Sequence, residues 1–193
     1  MPKLLLHACC GPCTLYPLER LRSGGWEARA LFYNPFIQPY TELERRAEAM
    51  ETVAREYGLD VIFRMDYDLE EYLRQVAFRE SSRCPACYAR RIEAVARLAK
   101  KSGYDAFSTT LLYSKQQKHE MIREIAENAA RCYGIAFHYE DFREGWREGQ
   151  ERAKSLGIYR QQYCGCILSE RDRFQKPQRN KTAPSPSGST NGG

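Results

Sequence analysis

No stretch of about 18 uninterrupted apolar residues occurs in this 193-residue chain, which excludes a membrane-spanning helix. The apolar core of a signal peptide is missing too, since only three leucines separate Lys3 from His7 and two cysteines. No secretory leader and no membrane partner are therefore expected, and a reducing, cytoplasmic compartment is the default. No internal repeat is visible. Cysteine is too sparse for a disulfide-stapled scaffold: eight residues are about 4% of the chain, against the ~8–10% such scaffolds carry. Clustered cysteines in a reducing compartment more often bind metal or do redox chemistry.

Strong charge of one sign is also missing. The formal net charge is +5, and Lys176, Arg179 and Lys181 in the last residues contribute three of those charges with no acid beside them. The body is left at +2, too little to argue for nucleic acid by itself, and its arginine clusters read first as solvated helix faces. The stretch from Lys176 is Pro, Ser, Gly, Thr and Asn without a large apolar residue. It reads as a disordered tail over 176–193 behind a single domain over 1–175.

What is present is alternation. Short apolar runs at Leu4–Ala8, Ala28–Tyr33, Val61–Phe63, Ala106–Leu111 and Ile135–Tyr139 read as strands. Helical patterns separate them over Thr14–Ser23, Leu69–Ala77, from Pro85 to about Lys101, and roughly Trp146–Leu156. Two further helices start at capping boxes, Thr41 with Glu44 and Ser114 with Gln117. This order predicts an α/β fold: an open Rossmann-like sheet of about five mostly parallel strands with helices on both faces. Such sheets place their ligands beyond the carboxyl ends of the strands.

The cysteines fall into four groups. Cys9, Cys10 and Cys13 follow the first strand, where Gly11-Pro12 ends it and lets neighbouring side chains turn to one site. Cys84-Pro-Ala-Cys87 has the spacing of a metal or cluster chelate, and also of a dithiol pair. Cys84 reads as the N-cap of its helix, where unpaired N–H groups favour thiolates. Zinc stays open, but the extra adjacent thiol is superfluous for it, and four thiolates also suit a 4Fe–4S cluster. Cys164-Gly-Cys166 is tight for a chelate, and a disulfide across one residue would be strained and oxidising, which favours a redox pair. Cys132, late in an amphipathic helix, reads as a small buried hydrophobe.

The order of several separate motifs is specific. Leu5-Leu6-His7-Ala8-Cys9-Cys10-Gly11-Pro12-Cys13 is followed by Tyr33-Asn34-Pro35, Arg83-Cys84-x-x-Cys87-Tyr88 and Thr109-Thr110-Leu111-x-x-Ser114. Asp141-Phe142-Arg143 and Tyr159-Arg160-Gln161-x-Tyr163-Cys164-Gly165-Cys166 complete the series. Over about residues 3–174 the chain resembles the QueH-type epoxyqueuosine reductases. The resemblance implies reduction of epoxyqueuosine to queuosine in tRNA, the last step in making that nucleoside. It implies a 4Fe–4S cluster with an additional iron beside it, and no cobalamin. Carried over by position, it implies cluster ligation by Cys9, Cys10, Cys84 and Cys87, and a redox-active pair at Cys164 and Cys166. Cys13 and Asp141 are candidates for the second iron, and Asp141 or His119 for proton supply. The implied fold is that of adenine-nucleotide-hydrolase-like and tRNA-thiolating enzymes. The Ser-Gly-Gly-x-Asp-Ser phosphate loop of the ATP-using members has no counterpart after strand one, where Cys9-Cys10 stands, so ATP use is not expected.

Turning an epoxide into an alkene takes two electrons and two protons and releases water. A cluster passes electrons singly and a dithiol holds two, so the combination is a plausible route, fed by an external ferredoxin- or flavodoxin-like donor. Candidate substrate-binding residues are Asn34, Thr109, Thr110 and Ser114 near strand ends. Arg143 and Arg160 join Arg90, Arg91 and Arg147, with Tyr88 and Tyr163, as candidate tRNA contacts. The rival readings are a cluster-free thiol-disulfide or sulfur-transfer enzyme acting on tRNA, and a zinc-stabilised nucleic-acid-binding module.

Overall fold

A computed structural model describes residues 1–175; the expected tail lies outside the described residues. The order of elements is β1 (Lys3–Ala8), α1 (Gly11–Ser23), β2 (Glu27–Tyr33), α2 (Tyr40–Tyr57), β3 (Val61–Arg64), α3 (Leu69–Val76) and α4 (Cys84–Lys101). It continues with β4 (Ala106–Thr109), α5 (His119–Tyr133), β5 (Ala136–Phe137), α6 (Trp146–Ser155) and α7 (Ile167–Phe174). The five strands form one parallel sheet in the order β3-β2-β1-β4-β5. β1 is central and buried beyond Lys3, which is why it reads as a continuous apolar run rather than an alternation. One apolar layer joins β1 and β4 to α4 and α5 through Ile92, Val95, Phe107 and Ile122. A second joins β2 to α1 and α2 through Leu18, Phe32, Leu43 and Met50.

Several boundaries differ from the sequence reading, each for a local reason. α1 begins at Gly11 rather than Thr14, because Gly11-Pro12 forms its first turn and proline's missing N–H is not needed there. Cys13 therefore lies inside the helix. α2 is entered at Tyr40 behind Pro39, so Thr41 lies two residues past the cap and the Thr41/Glu44 box does not form. Ser114 likewise accepts a hydrogen bond from the Gln116 amide (3.2 Å) in a turn, and α5 starts only at His119. Cys84 is the first residue of α4, capped by Arg83, not the cap itself. β4 ends at Thr109 and passes into a 3-10 turn over Thr110–Tyr113, β5 is two residues long, and α7 had no counterpart in the reading.

Candidate active site

The sheet order reverses direction between β1 and β4, so the crevice for a ligand opens past Ala8 and Thr109. The two strand ends are tied together by side chains. The Cys9 amide donates to Thr110 Oγ1 (3.0 Å), whose hydroxyl donates to Cys9 Sγ (3.2 Å). Asn34 Nδ2 donates to the Ala8 carbonyl (3.0 Å), fastening β2 to β1. His7 lies fully buried between Thr109 Oγ1 (2.9 Å) and the Tyr33 carbonyl (3.1 Å). Burial, with the Arg91 charge nearby, lowers its pKa to about 4, so the ring is neutral. A carbonyl can only accept, so Nε2 carries the proton and Nδ1 accepts from Thr109.

The sulfur atoms of Cys9, Cys10 and Cys13 lie within 4.8 Å of one another, and all three are buried. Cys9 is pushed well below the usual thiol range because the Cys10 and Cys13 thiols donate to it, against the opposing effect of burial, with help from Thr110. Burial drives Cys10 up, and its hydrogen bonds to Cys10 and Cys9 drive Cys13 up. No other such group of three His, Cys, Asp or Glu ligands occurs among the described residues, so Cys84 and Cys87 are not within that radius of Cys9 and Cys10.

Cys13, Cys84, Cys87, Cys164 and Cys166 nevertheless line a single cavity of about 570 Å³. Cys164 and Cys166 are unbonded thiols. They come from a segment after α6 that crosses the mouth without regular structure, held by Arg46, which donates to the carbonyls of Tyr163 and Cys164 (3.0 Å each). Gly165 turns the strap at φ +141, where a Cβ would meet Ile37 at 3.0 Å. Burial pushes Cys87 up to about 12, partly offset by Arg91, and raises Cys164 in the same way. Burial opposes ionisation of Cys166 as well, but the Tyr72 and Ser169 hydroxyls and Arg83 beside it bring it below the usual range.

The candidates of the sequence reading divide sharply. Ser114 and Arg160 line the cavity. Asn34, Thr109 and Thr110 have no exposed surface and act from beneath as supports of the strand ends. Asp141 and Arg143 lie outside the cavity lining and pair with each other. His119 stacks edge-on against Tyr139, also away from that lining. Arg91 cannot touch RNA, being 1% exposed, and with the equally buried Arg46 it departs from the solvated-face reading. Cys132 is exposed, contrary to expectation, because the buried stripe of α5 runs through Ile122, Ala126 and Ala129 and passes it by. Two glutamines were missed. Gln117 Nε2 donates to Cys164 Sγ and Gln161 Nε2 to Cys13 Sγ, each at 3.2 Å. Tyr88 orients the first by donating to Gln117 Oε1 (2.7 Å). An amide carries no spacing signature, so only the fold reveals them.

The residues fit a thiolate-bound metal centre: soft donors in a dry crevice, amide and hydroxyl donors aimed at sulfur, and a buried guanidinium, Arg91, without a carboxylate partner. The fold and site thus define an α/β protein with an open five-stranded parallel sheet and a multi-thiol pocket at its topological switch point. Comparison with known proteins is more specific. The sequence model of the family described as Epoxyqueuosine reductase QueH matches residues 4–172. Relatives named Epoxyqueuosine reductase QueH include one from Dehalococcoides mccartyi, 39% identical, covering 91% of this chain and 97% of the relative. Another, from Thermotoga maritima, is 38% identical over 91% of this chain and 94% of its own length. A solved structure titled as a predicted subunit of tRNA methyltransferase from Methanocaldococcus jannaschii shares the fold, with TM-score 0.57 and 9% identity over 80% of this chain and 75% of that one. The chain belongs to the QueH family of epoxyqueuosine reductases, oxidoreductases acting on a modified tRNA nucleoside.

Proposed function

We propose that this enzyme deoxygenates epoxyqueuosine in tRNA to queuosine at the thiol-lined cavity, using a 4Fe–4S cluster and an adjacent iron. Cys9, Cys10, Cys84 and Cys87 are the proposed cluster ligands, with Cys13 toward the additional iron. The observation that carries the reading is the convergence of seven thiols from three distant parts of the chain on one crevice: Cys9, Cys10 and Cys13 packed together, and Cys13 lining the cavity with Cys84, Cys87, Cys164 and Cys166. When bound, such a centre supplies single electrons and a Lewis acid for an oxygen atom.

The chain's own residues do the rest. A volume of about 570 Å³ suits one splayed-out nucleoside, and Tyr88, Tyr113, Trp146 and Tyr163 in its lining offer faces for a base. Arg160, Lys118 and Arg173 in the same lining suit the flanking phosphates. Oxidation of the Cys164/Cys166 dithiol to a disulfide releases two electrons and two protons, the amounts an epoxide needs to become an alkene and water. An external one-electron donor of ferredoxin or flavodoxin type then restores the dithiol, with protons from solvent. Asp141 is a poor proton source: the side chain of Arg143 holds its carboxyl down at about 2. The absence of a spanning helix among the described residues is compatible with action on tRNA in the cytoplasm.

The test is anaerobic incubation of the purified protein with tRNA carrying epoxyqueuosine and a strong reductant, followed by nucleoside mass spectrometry. The expected result is loss of one oxygen atom by a brown protein containing iron and sulfide. A colourless protein with one zinc and an unchanged nucleoside overturns the reading in favour of a metal-stabilised module. A colourless, metal-free protein that exchanges disulfides favours the cluster-free alternative.

A further inference from the structure

Arg91 is one of the largest fully buried side chains in the protein, 1% exposed. Its Nε has no hydrogen-bond partner and it makes no ion pair among the described residues. Arg46, equally buried, makes the contrast: its Nε meets Glu42 Oε1 at 2.7 Å and its Nη atoms reach two carbonyls. The interior thus holds two buried guanidinium ions, Arg46 and Arg91, and one buried carboxylate, Glu42, which pairs with Arg46. Arginine does not discharge by losing its proton, and an unpaired buried ion is costly. On α4, Cys84, Cys87 and Arg91 stand at i, i+3 and i+7, which brings them to one face. Cys87, Cys164 and Cys9, one from each thiol-bearing part of the chain, lie near enough to act on Arg91 when they are thiolates, with Arg46 opposing them.

We infer that Arg91 is the internal counter-charge of an anionic thiolate–metal centre, a positioning residue that holds the thiols as ligands and raises the centre's reduction potential. This rests on the reading of those thiols as metal ligands. A centre with several thiolates carries net negative charge, and a fixed, buried cation beside it offsets that charge. The same cation is a burden to the chain without metal, because no carboxylate pairs with it among the described residues. The two states thus respond to its removal in opposite directions, which an ordinary packing role does not predict.

The experiment compares the wild type with Arg91→Met and Arg91→Lys, as full-length reduced chains under anaerobic conditions. Cobalt(II) is the probe, titrated against a competing chelator with the thiolate-to-metal absorbance as readout. Arg91→Met is expected to weaken cobalt binding about 10–100-fold, the scale of losing a partner outside the ligand shell. Arg91→Lys retains most of the affinity. Without metal, Arg91→Met unfolds at a higher urea midpoint than the wild type. After reconstitution with iron and sulfide its midpoint potential lies lower. Equal cobalt affinity in Arg91→Met overturns the inference, as does a metal-free variant that is less stable or does not fold. A wild type that takes up neither cobalt nor iron sinks the ligand reading itself, a distinct outcome.

Discussion

Arg143 closes on Asp141 with three hydrogen bonds, from its Nε (2.8 Å), its Nη2 (2.5 Å) and its own backbone amide (3.1 Å). Two residues that sequence reasoning offers separately, one as an acid and one as an RNA contact, satisfy each other at the start of a 3-10 turn. The carboxylate is thereby fixed in its ionised form, with its pKa lowered to about 2.

The stability this adds is present above the ordinary carboxyl pKa near 4 and is lost as pH falls through about 2. Asp141→Asn should therefore have a lower urea midpoint than the wild type at pH 4 and above, the two converging near pH 2. The pair is about one-third exposed, so the gap should be small. Turnover of the wild type should show no ionisation of Asp141 between pH 5 and 9 in its pH profile, and a limb that vanishes in Asp141→Asn would contradict this.

Cys164→Ser should reduce multiple turnover by about 10²-fold or more, the scale of removing a group that acts on the reacting atoms, with iron content unchanged. The check is anaerobic turnover with iron and sulfide assayed in parallel. Undiminished activity under continuous external reduction would show that the pair is dispensable. Loss of iron together with activity would move Cys164 among the ligands.

Arg160 lines the cavity and is the candidate whose removal should read as a phosphate contact. Arg160→Ala should weaken tRNA binding and lower the slope of log affinity against log salt by about 1. Filter binding across a salt series measures both, and an unchanged slope would place Arg160 away from the backbone.

Gly11 permits a backbone-to-backbone approach of α1 to α2. A Cβ there would stand 2.5 Å from the Ala49 carbonyl oxygen and 2.7 Å from its carbon, atoms that cannot rotate away. Gly11→Ala should cost about 1–3 kcal/mol of stability, as overpacking does. Because Cys10 caps α1 and Cys13 lies in its first turn, metal uptake should fall with it. Urea unfolding and cobalt titration on the same preparation test the coupling.

The sheet was legible because its inner strands are largely buried on both faces, so Leu4–Ala8 and Ala28–Tyr33 stand out as apolar runs and the topology rule then carries Cys9 and Cys10 to the ligand edge. Capping boxes at Thr41 and Ser114 misled because capping motifs are local and the chain enters α2 and α5 by geometry fixed elsewhere, at Pro39 and at the turn from Ser114. The burial of Arg46 was out of reach for a related reason. Its partners Tyr163 and Cys164 are 117 and 118 residues away, and nothing near position 46 announces them. Cys132 shows the reverse error: a residue type usually buried sits one step off the apolar stripe that the fold selects.

The placement of β1 at the middle of the sheet fixes the order in which a nascent chain can shelter its first thiols. Cys9 is held by Thr110, 101 residues later, and Cys13 by Gln161, 148 residues later. Until the ribosome has passed β4, the central strand lacks one neighbour, and until it has passed the last strap the crevice has no roof. Until Thr110 and Gln161 have emerged, the three cysteines lack those contacts of the folded chain. Long-range parallel pairing of this kind is slow to form. Yield of correctly loaded enzyme should accordingly depend on how reducing the compartment is while translation runs, more than on conditions met afterwards.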